Sequence, residues 1–82
     1  MSQQEILSGL SEIVTEIGGV PVEQVRPEAK FSDDLGIDSL SMVEIITAAE
    51  DRFGVRIPDG DLGQLGSVGA AADYIAKAGV AT

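Results

Sequence analysis

The chain has 82 residues, no cysteine and no histidine, and a formal net charge of −9 from fourteen acidic and five basic side chains. That excludes disulfides, thiolate or imidazole metal sites and the usual nucleophile–base pairs of hydrolysis; it repels nucleic acid and anionic membrane and draws in basic proteins. With 44% hydrophobic residues, residues 1–82 are expected to form one small domain, monomeric and cytoplasmic, with no signal peptide and no membrane span.

Ser2-Gln3-Gln4-Glu5 fits a capping box, so the first helix starts at once. Ile6, Leu7, Leu10, Ile13, Val14 and Ile17 recur at helical spacing as one apolar stripe, and Gly18-Gly19 ends it. From Val20 to Ile37 the period breaks at Pro21, Pro27 and Gly36, with room for one helical turn at Val22–Val25. So long a loop needs pinning, and Val20, Val25, Phe31, Leu35 and Ile37 are the residues to pin it.

A second helix is predicted from Ser39 to Phe53, stopped by Gly54. Met42, Ile46, Ala49 and Phe53, with Ile45 beside them, share its inner face. Glu44, Thr47, Asp51 and, unexpectedly, Leu40 share the outer one, with Val43 and Glu50 at a border. An apolar residue next to an exposed serine and ringed by carboxylates suggests a docking surface.

Val55-Arg56-Ile57 reads as a short extended stretch into Pro58. The run Asp59 to Leu65 is a short third helix, weakened by Gly60, Gly63 and Gly66 into a mobile or partly 3₁₀ segment. Ser67 caps a last helix through about Lys77, with Val68, Ala71, Ala72 and Ile75 inward, and Ala78 to Thr82 should fray. Strand-like alternation is nearly absent. The predicted class is all-α: a small four-helix bundle with three longer helices and one short one.

Ser39 closes a turn-rich loop and opens an amphipathic helix beside Asp38, where unpaired N–H groups favour an anion. That position suits a phosphate-linked group and equally suits an ordinary helix cap. Enzyme chemistry is not expected, because Ser39 has no histidine to serve as base, only Lys30 and Lys77 as amines, and no Gly-x-Ser-x-Gly elbow around it. A calcium loop fails as well: counted from Asp59 the twelfth position is Ala70, and counted from Asp33 it is Glu44 with only Asp38 between to serve. No metal site is expected. An unmodified acidic adaptor, with Asp38 or Ser39 as a mere N-cap, stays open at this point.

Asp33-Asp34-Leu35-Gly36-Ile37-Asp38-Ser39-Leu40, followed by Val43-Glu44, Glu50-Asp51-Arg52-Phe53-Gly54-Val55, Ile57-Pro58-Asp59, Val68 and Asp73-Tyr74-Ile75, closely resembles the acyl carrier proteins. The resemblance runs collinearly over essentially the whole chain, and Leu40-Ser41-Met42-Val43-Glu44 looks most like the free-standing carriers of actinobacterial fatty-acid synthesis. It implies that a separate phosphopantetheinyl transferase, using coenzyme A and Mg²⁺, converts Ser39 to its 4′-phosphopantetheine ester, with Asp38 helping to hold the transferase's metal. The arm's thiol would then carry acyl chains as thioesters, which resolves the missing cysteine.

The same resemblance makes Leu40, Val43, Glu44, Thr47, Glu50 and Asp51 a docking surface, extended by Asp59 and Asp61. Its visitors would be the transferase, a malonyl transferase, a ketosynthase, a reductase and a dehydratase. Fatty-acid synthesis leads as the pathway, with polyketide synthesis and long-chain lipid elongation as alternatives. The chain departs from many relatives at Thr47, where they carry a bulkier apolar residue, and in its glycines at 60, 63, 66 and 69. Ser41 lacks a preceding aspartate and lies about 100° round the helix, so Ser39 is taken as the sole attachment site. An acyl chain is expected to enter between the second and last helices, over Met42, Ile46 and Ala49 on one side and Ala71, Ala72 and Ile75 on the other.

Overall fold

A computed structural model describes residues 3–78, apart from the side chain of Asp59. Helix α1 (Gln3–Gly18) carries the predicted stripe, with Ile6, Leu10, Ile13 and Val14 buried, and it ends where Gly19 takes a positive φ and donates its N–H to the Thr15 carbonyl. Ser2 of the proposed capping box and residues 79–82 of the segment expected to fray lie outside the described residues.

Helix α2 (Ser39–Phe53) matches the predicted bounds because both ends are chemically marked. The Asp38 carboxylate accepts the Ser41 N–H at its head, and Gly54 takes the left-handed conformation at its foot. Helix α3 (Val68–Lys77) is capped by the Ser67 hydroxyl, which accepts from the Ala70 N–H. Between α2 and α3 the chain makes a 3₁₀ segment, Asp59–Gln64. The expected short third helix therefore takes the tighter 3₁₀ form, as its glycines suggested. A further 3₁₀ turn, Val22–Gln24, interrupts the first loop, and no strand occurs among the described residues.

Helix α1 is the spine, packing against both α2 and α3. It meets the foot of α2 at Gly9, where an added Cβ would sit 2.7 Å from the Phe53 ring, so glycine is what lets Phe53 reach the core. Arg52 and Glu12 pair across the same seam at 2.7 Å; both are exposed, so the pair contributes at most about 1 kcal/mol. Burial does most of the work, and no charged residue is buried among those described.

The long loop is pinned as its apolar residues predicted, with Val20, Val25, Phe31, Leu35 and Ile37 all buried and Ala29 joining them. Backbone hydrogen bonds complete the fastening. Phe31 N–H donates to the Gly66 carbonyl, Val68 N–H to Ala29 and Gly69 N–H to Pro27, so residues 27–31 lie alongside 66–69. Ile37 N–H then donates to the Phe31 carbonyl at 2.8 Å, folding the loop back to deliver Asp38 and Ser39 to the rim.

Candidate functional site

Ser39 is the first residue of α2 and is exposed. Its hydroxyl makes no hydrogen bond among the described residues; the capping is done by Asp38, whose Oδ1 accepts the Ser41 N–H at 2.8 Å. The Asp38 main-chain carbonyl also accepts the Met42 N–H, which leaves the N–H groups of Ser39 and Leu40 with no acceptor in the described fold. An oxygen nucleophile thus stands free at the positive end of a helix, beside two unspent donors. The Ser41 N–H, and after it the Ser41 hydroxyl, hold the Asp38 carboxyl below its usual value, so Asp38 is a firm anion at neutral pH.

Beneath Ser39 opens a groove of about 270 Å³, lined by Phe31, Ile37, Met42, Leu62 and Leu65 with Ser32, Asp38 and Gly66 at its edges. Its rim is polar and its walls are apolar side chains. That chemistry fits a phosphate-linked arm at the mouth and a hydrocarbon within. Of the six residues read from sequence as the acyl cavity, Met42 alone lines this groove. Ile46, Ala49, Ala71, Ala72 and Ile75 are buried in the core behind it. Phe31 and Ile37, read only as loop anchors, and Leu62 and Leu65 form the remaining walls. Their signal in the sequence is the three-residue spacing of the two leucines between glycines.

Leu40 and Val43, 73% and 54% exposed, form an apolar pair one turn apart on the outside of α2. Glu44, Thr47 and Asp51 continue the same stripe and are exposed; the Thr47 hydroxyl is turned back onto the Val43 carbonyl at 3.0 Å. Two of the expected docking acids are otherwise engaged. Glu50 is half-buried, and its Oε2 accepts the Ile57 N–H at 2.7 Å, which turns the chain back after α2. Asp61 accepts the Tyr74 hydroxyl at 2.5 Å on Oδ2 and the Gln64 amide at 3.4 Å on Oδ1. Both oxygens thus have partners within the fold, while Asp61 stays half-exposed beside the surface assigned to it from sequence. The side chain of Asp59 lies outside what is described. No cluster of potential metal ligands occurs among the described residues, and no helix is long and apolar enough to cross a membrane.

A family model described as "Phosphopantetheine attachment site" matches residues 8–75. An acyl carrier protein of Acidothermus cellulolyticus is 56% identical over 80 residues, which span 98% of this chain and 95% of that protein. One of Thermobifida fusca is 58% identical over 76 residues, spanning 93% of this chain and 96% of its own length. A meromycolate extension acyl carrier protein of Mycolicibacterium aurum is 55% identical over 76 residues, 93% of this chain and 78% of that one.

Proposed function

The chain belongs to the acyl carrier proteins, the family of the phosphopantetheine attachment site, and we propose that Ser39 is the residue on which this member holds its arm. The observation that carries the proposal is an exposed, unpartnered hydroxyl at the head of α2, above an apolar groove. Ser41 competes poorly, since it is half-buried and its N–H is bound by Asp38. When bound, 4′-phosphopantetheine supplies the thiol that the cysteine-free chain lacks, and acyl groups travel on it as thioesters. The chain's own residues position and protect that cargo: Asp38 fixes the helix head and offers its exposed carboxylate to a transferase's metal, while Met42, Leu62 and Leu65 offer the first carbons an apolar wall.

In this reading residues 1–82 act as one monomeric carrier domain in the cytoplasm. It is a substrate of enzymes and has no active site of its own. The stripe Leu40, Val43, Glu44, Thr47 and Asp51 receives the phosphopantetheinyl transferase and then the malonyl transferase, ketosynthase, reductase and dehydratase of fatty-acid synthesis. An apolar pair with acidic flanks is the complement of a basic patch around an apolar notch. Elongation of very long lipids is the second reading, favoured by the name of the Mycolicibacterium aurum relative.

Thiol counting tests the assignment simply, because the chain has no cysteine. Incubation with coenzyme A, Mg²⁺ and a phosphopantetheinyl transferase should raise the count from none to one per chain. An unmodified adaptor would stay at none.

A further inference from the structure

The segment that walls the groove is anchored by hydrogen bonds at both ends; between them Leu65 is buried and Leu62 packs against the core, but few hydrogen bonds reach other elements. Glu50 fixes the Ile57 N–H before it, and Phe31 N–H binds the Gly66 carbonyl after it. In the interval the backbone bonds are local, Asp61 N–H to Pro58 and Leu65 N–H to Leu62. Among the described side chains, a single hydrogen bond joins Asp59–Gln64 to another element: the Tyr74 hydroxyl of α3 donates to Asp61 Oδ2 at 2.5 Å.

The glycines of this stretch have no steric reason to be there. Gly60, Gly63 and Gly66 do not have positive φ, and a Cβ added at any of them would meet nothing within 4 Å. Alanine would fit at all three. What glycine provides here is backbone freedom, so the wall carrying Leu62 and Leu65 yields at low cost once released. Behind that wall lie the buried Ala49, Ala72 and Ile75. A short chain fits the existing groove; a long one has to push this wall outward.

Building on the Ser39 assignment, we infer that the Tyr74–Asp61 hydrogen bond is a latch on the wall at 59–66 that sets how long an acyl chain this carrier encloses. Tyr74 and Asp61 are therefore residues of chain-length selection, acting through Leu62 and Leu65. The glycines set the compliance and the latch sets the threshold.

The test uses the full chain, loaded with its arm, confirmed by intact mass, and charged with a graded series of saturated acyl groups from butyryl to hexadecanoyl. Melting temperature should rise with chain length and level off when the enclosed space is full. In Tyr74→Phe the levelling should move to longer chains, and in the Gly60→Ala, Gly63→Ala, Gly66→Ala triple variant to shorter ones. Asp61→Asn, which keeps a neutral acceptor, should fall between wild type and Tyr74→Phe. Amide exchange at Asp61 and Leu65 should quicken about tenfold in Tyr74→Phe, the scale of one net hydrogen bond. A merely structural role for the pair would lower every melting temperature equally and leave the levelling length unchanged, which would overturn the latch. A chain that accepts no arm would overturn the Ser39 assignment, and the latch with it.

Discussion

The same chemical change, glycine to alanine, is predicted to act with opposite sign at two positions nine residues apart. At Gly69, the second residue of α3, an added Cβ would lie 2.9 Å from the Pro27 carbonyl oxygen and 3.4 Å from its carbon. The obstructing atoms are backbone, and that carbonyl is already bound at 2.7 Å by the Gly69 N–H. Relief requires residues 27–31 to part from 66–69, the contact that delivers the loop to Ser39. Overpacking of this kind costs about 1–3 kcal/mol, and the better helix propensity of alanine returns at most about 1 kcal/mol. With that return the net loss is up to about 2 kcal/mol, a fall in Tm of up to about 16 °C for a domain of this size. At Gly60 nothing lies within 4 Å and φ is not positive. There alanine reduces the entropy of the unfolded chain and should add about 0.4–1 kcal/mol, or about 2–8 °C. Calorimetry of the two single variants beside wild type is the assay. A Gly69→Ala protein more stable than wild type, or a destabilised Gly60→Ala protein, would refute the reasoning.

Removing the α2 cap with Asp38→Ala should lower the midpoint of urea unfolding, since it leaves the Ser41 N–H without its acceptor. Because the folded Asp38 carboxyl is held below its usual value of 3.8, its contribution is fully present above that value and disappears as pH falls through the folded pKa; an acid titration of stability should be flatter below about pH 4 in Asp38→Asn. Glu50→Ala leaves the Ile57 N–H without its charged acceptor, which should cost about 1.5–3 kcal/mol in the same unfolding assay. Glu44→Lys should slow encounter with the phosphopantetheinyl transferase at low salt, with wild type and variant converging as salt rises. Stopped-flow kinetics across ionic strength would show it, and equal rates throughout would place docking elsewhere.

Most of the fold was legible because its boundaries carry chemical marks. Asp38 and Gly54 bracket α2, Ser67 opens α3, and the five loop residues that pinning required, Val20, Val25, Phe31, Leu35 and Ile37, are buried. The 3₁₀ form of Asp59–Gln64 follows from its glycines. What a helical projection cannot show is where the chain goes next. Glu50 looks like a border charge until the strand of chain after Gly54 turns back and brings the Ile57 N–H to its carboxylate. Asp61 shows no partner in the sequence until α3 brings Tyr74, thirteen positions on, against it. The alanines of α2 and α3 are buried as the helical projection placed them. Ser39 itself was readable as cap or as attachment point; the structure gives the cap to Asp38 and leaves the serine hydroxyl free.

The central claim is that Ser39, and no other hydroxyl, takes the arm. Intact-mass analysis of wild type and Ser39→Ala after incubation with coenzyme A, Mg²⁺ and a phosphopantetheinyl transferase, followed by peptide fragmentation, tests it most directly. A single adduct on the peptide at Ser39 is predicted in wild type and none in Ser39→Ala, whose melting temperature should stay close to wild type because the cap is intact. An adduct that survives in Ser39→Ala, or that maps to Ser41, would contradict the account.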